Sequence, residues 1–221
     1  MKSLVSVLTS PGIFFSGAAG EEENLTKPAL IVFAGAVVAA VAGYFSGSLS
    51  ARMLDSAMAG MGSLILIAAI VAAFIMTFVV WLIWAGAFFL ISKLFRGTGS
   101  FNRCLEVVGY GYVPQVIGSV IAVIVAVEYL PKVAIPALTS AALTNPQQIQ
   151  DATTALMQDP AMVEFTQISA VISMVFLLWS ASIWIFGIKQ ARNITMRDAA
   201  ICVGIPVILL IIYQIYNLAG M

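Results

Sequence analysis

The sequence predicts an all-α integral membrane protein, a bundle of five transmembrane helices. The first observation is composition: of 221 residues, 62% are hydrophobic and 9% are charged, whereas a soluble domain has about 45–50% and about 25%. The second is a mean hydropathy of +1.05. The third is that five separate apolar runs are each long enough to cross a bilayer. Ten basic and ten acidic side chains are too few to cover the surface of a soluble protein of this size.

The five spans are assigned from their length, because a hydrocarbon core of about 30 Å needs about 20 helical residues. They cover residues 28–47, 62–92, 106–130, 165–188 and 198–219. The second run is longer than one crossing needs and too short for two, so we interpret it as one long helix that is tilted or protrudes. Pro28 suits the first turn of its helix. Thr195 and Asp198 resemble a capping box at the start of the fifth span.

Lysine and arginine are concentrated in alternate connecting segments. The amino-terminal segment and the loops near 93–105 and 189–197 hold eight of the ten basic residues. The two intervening loops hold only Arg52 and Lys132. Because basic loops remain on the cytoplasmic side, the sequence predicts a cytoplasmic amino terminus and a carboxyl terminus outside.

Residues 1–27 are predicted to form a cytoplasmic interfacial segment, followed by one membrane domain over residues 28–221. The segment begins with a short amphipathic helix that lies on the membrane surface. Its apolar face consists of Met1, Leu4, Val5, Val7 and Leu8. The alternative is a signal peptide, which is disfavoured because Pro11 and Gly12 divide the apolar run into two short pieces.

The longest polar segment, residues 131–164, connects the third and fourth spans outside the membrane. Asn145-Pro146 and Asp159-Pro160 each place a capping side chain before a proline at the first helical position. The sequence therefore predicts two short helices in this loop.

Catalysis is not expected, and neither a cofactor nor a metal is predicted. The chain has no histidine, so the commonest general base and metal ligand is absent. Its two cysteines, Cys104 and Cys202, make neither a disulfide framework nor a thiolate metal site. Every charged residue falls in a loop or near the end of a span, which argues against an intramembrane enzyme. Nucleic acid is not an expected partner, because there is no basic excess to neutralise phosphates.

The start of the third span contains a cluster of helix-weakening residues. Gly109, Gly111 and Pro114 fall within seven residues, together with Gln115, and they kink or loosen the helix. This cluster is either a binding notch or hinge, or a structural kink stabilised by packing. The candidate partner or lipid site consists of Arg96, Arg103, Gly109, Tyr110, Tyr112, Pro114 and Gln115. There the two arginines dock a protein or a lipid tail; alternatively, the basic loops only bind anionic lipid headgroups.

A row of small residues in the first span allows another helix to approach closely. Gly35, Ala39, Gly43 and Gly47 recur every four residues, and such rows bring helices together in lipid, where no hydrophobic drive exists. The row faces either the protein's own bundle or a second subunit, in which case the chain forms a homo-oligomer.

Residues 93–115, KLFRGTGSFNRCLEVVGYGYVPQ, resemble the Yip-domain family of Rab/Ypt-interacting polytopic membrane proteins. The residues that match are Gly97, Gly99, Phe101, Val108, Gly109, Tyr110 and Pro114. Residues 8–15, LTSPGIFF, also resemble the opening of prokaryotic members. Five spans with a cytoplasmic amino terminus is the topology of that family, so the resemblance extends over most of the chain.

This resemblance implies a non-enzymatic protein that organises membranes as a scaffold or in trafficking, with a small GTPase as partner. The amino-terminal segment is short and lacks a long acidic region, which indicates a prokaryotic-type member. Such a protein resides in the cell membrane if prokaryotic and in a Golgi- or ER-type membrane if eukaryotic. The alternative function is a channel or an uncoupled transporter for a small solute.

The predicted topology is tested with single cysteines and a membrane-impermeant thiol reagent. We expect cysteines at Arg52, Ser140 and Met221 to react from outside the cell, and cysteines at Thr98 and Asn193 to react only after the membrane is opened. Labelling of the Thr98 position in intact cells would contradict the five-span orientation.

Overall fold

The computed structural model describes residues 4–18, 20–55, 57–58, 60–136 and 138–220. Within these residues the secondary structure is helical. The helices, in chain order, are α1 (Leu4–Thr9), α2 (Pro11–Ala18), α3 (Thr26–Asp55), α4 (Met61–Leu94), α5 (Phe101–Tyr110), α6 (Tyr112–Tyr129), α7 (Pro146–Met157), α8 (Pro160–Arg192) and α9 (Met196–Ala219). Two short 3₁₀ helices, Leu130–Lys132 and Ser140–Thr144, flank the loop before α7.

The five predicted spans are confirmed as five helices that are long and apolar enough to cross a membrane. Each extends beyond the range assigned from sequence. The second, α4, has 34 residues and is about 51 Å long at 1.5 Å per residue, so a single helix accounts for the long second run. The third span is divided at Gly111 into α5 and α6.

Side-chain caps explain where several helices begin. The Thr195 hydroxyl accepts a hydrogen bond from the Asp198 N–H at 3.2 Å, which confirms the cap of the fifth span. The Asn145 carboxamide accepts from the Gln147 N–H at 3.1 Å, and α7 is the first of the two predicted loop helices. The second is wrong: Asp159 caps α8 itself, and that helix continues without a break into the fourth span.

The long helices pack in a definite order around one core. Helix α3 lies between α4 and α6, and α8 lies between α6 and α9. Helix α4 also contacts α9, where the Cys202 thiol donates to the Phe88 carbonyl at 3.1 Å. The connections 95–100 and 193–195 lie at the same end of the bundle, joined by hydrogen bonds between Thr98 and residues 192 and 193. We call this end, with α1 and α2, the basic end.

The amino-terminal segment is attached to the basic end by three apolar side chains. Val7, Phe14 and Phe15 are buried, whereas Leu4 and Val5 are exposed. The helical conformation is interrupted between α1 and α2, just before Pro11, which is where the apolar run is divided in the sequence. Met1 of the predicted apolar face lies outside the described residues. The interfacial and cytoplasmic position of this segment stays a prediction.

The small-residue row of α3 packs within the protein's own bundle. A Cβ atom on Gly43 would lie 2.9 Å from the Ala73 Cβ and 3.0 Å from the Ala69 carbonyl oxygen of α4. One on Gly47 would lie 2.6 Å from the Ala69 Cβ. Gly35 faces Val116 of α6 instead. Ala39 lines a cavity among the long helices. Gly43 and Gly47 therefore set the close approach of α3 and α4.

Replacing Gly43 with leucine tests this contact. The added side chain would meet α4 backbone, which cannot move aside, so we expect the free energy of unfolding in detergent to fall by about 1–3 kcal/mol. The control is Gly86→Leu, because a Cβ at Gly86 has no heavy atom within 4 Å. Equal thermal unfolding midpoints for the two variants would show that the α3–α4 contact is not tight.

Candidate functional site

A buried arginine joins the two loops of the basic end. Arg192 is 2% exposed. Its Nε donates to the Ser92 hydroxyl at 2.8 Å and its Nη2 to the Gly97 carbonyl at 2.7 Å, while Nη1 donates to the Gly99 carbonyl. The guanidinium carbon lies 4.4 Å from the centre of the Phe89 ring. The planar guanidinium thus bonds in three directions at once, which an ammonium group cannot reproduce.

The loop that receives Arg192 is shaped by its glycines. Gly99 has a φ of 102°, a conformation that side chains rarely adopt. A Cβ on Gly97 would lie 2.8 Å from the Ser92 carbonyl oxygen and 3.3 Å from the Arg192 side chain. Thr98 completes the junction, because its N–H donates to the Arg192 carbonyl at 2.9 Å. In the sequence, Arg192 is recognisable only as one of the charges of the basic loops, and nothing there predicts this role.

Two tryptophans occupy the region where the third span is broken. The Trp81 indole N–H of α4 donates to the Leu105 carbonyl at 2.9 Å, and that of Trp184 of α8 donates to the Val108 carbonyl at 3.0 Å. A Cβ on Gly109 would lie 2.5 Å from the Pro28 Cβ. One on Gly111 would overlap the Trp184 indole. The glycines are therefore required where Pro28 and Trp184 approach the α5–α6 backbone.

The predicted partner or lipid site is distributed over several places. Arg103 and Tyr110 line a cavity at the basic end, whereas Tyr112 and Gln115 line a deeper cavity between the long helices. Gly109 and Pro114 are buried in helix packing, and Arg96 is exposed on the loop. The residues of the prediction that lie together at the basic end are thus Arg103 and Tyr110.

The basic-end cavity has a volume of about 240 Å³ and lies between α2, α5 and α8. Phe14, Phe15 and Tyr110 form an aromatic wall. The Phe14 ring centre is 5.1 Å from that of Phe15 and 5.0 Å from that of Tyr110, both in edge-to-face geometry. Phe14 and Phe15 were not among the residues predicted for this site, although residues 8–15 carry part of the family resemblance.

The polar side of the same cavity is an ion pair that is already formed within the chain. The Arg103 Nη1 lies 2.6 Å from the Glu106 Oε2, and both side chains are largely buried. The Arg103 Nη2 also donates to the Glu21 carbonyl, and the Ser100 hydroxyl donates to the Glu23 carboxylate. These contacts attach the segment before α3 to the start of α5 and hold Arg103 in place.

The described part of the chain shows no group of three or more His, Cys, Asp and Glu residues that could hold a metal ion. Cys104 and Cys202 are buried. Because one wall of the basic-end cavity is aromatic and the charged side chains Arg103 and Glu106 are paired with each other, the cavity is suited to holding an apolar group.

Five long apolar helices, a broken third span and a pocket at one end define a multi-pass integral membrane protein. The family model described as the Yip1 domain matches residues 5–216, nearly the whole chain, and the chain belongs to this family. It is 33% identical over 126 residues to an uncharacterized protein of Methanocaldococcus jannaschii, a match that covers 57% of this chain and 89% of the relative. This relative supports a prokaryotic-type member. No solved structure matches the chain.

The role of Arg192 is tested by Arg192→Lys. Lysine cannot reach Ser92, Gly97 and Gly99 together, and the carbonyls left without a donor lie in a partly buried junction, so we expect unfolding to become about 1–3 kcal/mol easier. Arg197→Lys is the matched control, since Arg197 is exposed and the change should stay within about 0.5 kcal/mol. The measurement is thermal unfolding in detergent, combined with protease cleavage of the loop 95–100. Unchanged cleavage and stability in Arg192→Lys would refute the proposed junction.

Proposed function

We propose that this protein is a non-enzymatic membrane scaffold, related to membrane organisation and trafficking, that docks partners at the basic-end cavity. The cavity receives an apolar group of the partner, such as a large apolar side chain or a lipid tail. The basic end faces the cytoplasm in this proposal, in agreement with the distribution of lysine and arginine.

The observation that carries the proposal is the aromatic wall of Phe14, Phe15 and Tyr110. Aromatic side chains supply large apolar contact areas and are enriched among the residues that dominate binding energies. Here the three residues are largely buried, with 4–8% of their surface exposed, and they line a cavity of about 240 Å³. A pocket of this kind fits an inserted apolar group.

The ion pair beside the wall favours binding over catalysis. Glu106 is held by Arg103 at 2.6 Å, so neither group is poised as a free acid or base. Binding an anionic headgroup through Arg103 would require breaking that pair, which is costly for a buried partner. Exposed cations of the basic end, such as Arg96 and Arg197, remain for attraction to anionic lipid surfaces.

Family resemblance adds one class of partner to this picture. A small GTPase with an attached prenyl chain carries both a protein surface and an apolar tail, and the tail has the chemistry that the cavity accepts. The sequence also predicts that the chain can associate with a second copy of itself as a homo-oligomer. The exposed apolar faces of the long helices are compatible with such an association.

The docking proposal is tested by photo-crosslinking in intact cells. Benzoylphenylalanine in place of Gln190, on the cavity rim, should give a discrete crosslinked protein product, whereas the same group in place of the exposed Asn102, outside the cavity, should not. Tyr110→Ala should weaken the Gln190 product at least about fivefold, because a buried aromatic contact is worth more than about 1 kcal/mol. Tyr216→Ala, on an exposed surface of α9, should leave it unchanged.

Equal crosslinking from the Gln190 and Asn102 positions would contradict docking at the cavity. So would a Gln190 product that Tyr110→Ala does not weaken, provided that the variant keeps the thermal unfolding transition of the parent protein.

A further inference from the structure

A second cavity, of about 320 Å³, lies among the long helices α3, α4, α6, α8 and α9. Its polar lining comes from Thr77, Tyr112, Gln115, Ser119 and Ser173. A smaller cavity of about 70 Å³ shares the last three of these residues and adds Ser169. Because a water molecule takes up about 30 Å³, the two adjoining spaces exceed what a single bound water fills. The larger one reaches the size range of small-molecule sites.

Two polar atoms at or beside these cavities lack partners within the described part of the protein. The Ser169 Oγ of the smaller cavity and the Gln214 Oε1, whose residue is outside the lining of either cavity, are buried without a hydrogen-bond partner. The Gln214 Nε2 approaches the Ser173 Oγ at 3.5 Å, which places the Gln214 side chain of α9 beside the serine row of α8. An unsatisfied polar atom in a membrane interior is costly. A ligand that donates a hydrogen bond to the Ser169 oxygen would remove that cost there.

The chemistry of the lining selects an uncharged ligand. The polar side chains on the walls of the two cavities are hydroxyls, the carboxamide of Gln115 and the indoles of Trp84 and Trp184, and the residues that line the cavities include none with a formal charge. A charged group in the middle of a bilayer needs a compensating charge, which these walls do not supply. Hydroxyls and carboxamides both donate and accept, so they match a ligand that carries hydroxyl groups.

The larger cavity opens sideways from the bundle. Met76 and Val80 line it and are also 50% and 37% exposed on the outer surface of the protein. Both lie near the middle of α4, the helix of 34 residues, and Leu210 of α9 lines the same cavity. The middle of a spanning helix faces acyl chains, so a molecule from the bilayer can approach the cavity on the side of Met76 and Val80.

We infer that this cavity, which we call the intramembrane pocket, binds the uncharged, hydroxyl-bearing headgroup of a neutral lipid that enters from the bilayer. A diacylglycerol is the simplest lipid of that class. Its free hydroxyl reaches Gln115, Ser119 and Ser173, and its acyl chains leave through the opening beside Met76 and Val80. This site is separate from the basic-end cavity and does not depend on the docking function proposed for it.

The inference is tested by native mass spectrometry of the full chain in detergent. The probe is dioleoylglycerol. It is compared with triolein, in which a third oleoyl chain replaces the hydroxyl, and with dioleoylphosphatidylglycerol, in which an anionic phosphoglycerol group replaces it. We expect the protein to retain dioleoylglycerol at least about tenfold more than either comparison lipid, since two hydrogen bonds of about 1 kcal/mol each are at stake.

Variants locate the site on the protein. Gln115→Leu combined with Ser173→Ala removes two polar groups of the lining, and we expect the retention of dioleoylglycerol to fall to the level of triolein. Ser182→Ala is the control on the same helix as Ser173, because Ser182 is exposed and its hydroxyl bonds within its own helix. If the double variant does not fold, the lipid selectivity of the parent protein decides the question by itself.

Three results would overturn the inference. Equal retention of dioleoylglycerol and triolein would indicate an apolar groove, and equal retention by the parent protein and a folded double variant would place the lipid elsewhere. Stabilisation by free glycerol without retention of dioleoylglycerol would indicate a ligand from water.

Discussion

The lack of water in a bilayer is the constraint on which this structure depends. Each backbone carbonyl in the membrane must find a partner within the protein. Pro114, three residues after the break at Gly111 in the third span, has no N–H to donate. The indoles of Trp81 and Trp184 reach the carbonyls of Leu105 and Val108 there. Each indole comes from a different helix, so the weakest segment of backbone is fixed to both α4 and α8. The largest cluster of buried apolar side chains surrounds these two indoles.

At the basic end, the same requirement is met by a charged side chain. Arg192 supplies donors to the carbonyls of Gly97 and Gly99, and all its hydrogen-bond acceptors there are neutral. Because an arginine keeps its charge even when buried, the interaction with several carbonyl dipoles and the Phe89 ring must offset the loss of hydration. The rigidity that results keeps the start of α5, with Arg103 and Glu106, in a fixed position beside Phe14 and Phe15.

Much of the fold follows from the sequence, because the hydropathy and the length of an apolar run decide whether it can span a bilayer. The five spans, the Asn145 and Thr195 caps and the division before Pro11 are all local patterns. The Yip-type motif was also visible, and the family assignment is confirmed. Arg192 was not recognisable, since its partners Ser92 and Gly99 lie in another hairpin and nothing local marks a buried cation. The same holds for the separation of Tyr110 from Gln115. These two residues are five positions apart on a broken helix, yet they line two different cavities, because the helices packed around each of them differ.

The junction at Arg192 also sets an order of events during synthesis. Ser92 leaves the ribosome 100 residues before Arg192, an interval of about 5–20 s at ordinary elongation rates of about 5–20 residues per second. Throughout that interval the loop 95–100 exposes glycine carbonyls that only water can satisfy. The basic end can close only after the fourth span has been inserted and its last turn has returned to the first loop. Completion of the bundle is therefore coupled in time to a single arginine near the end of the chain.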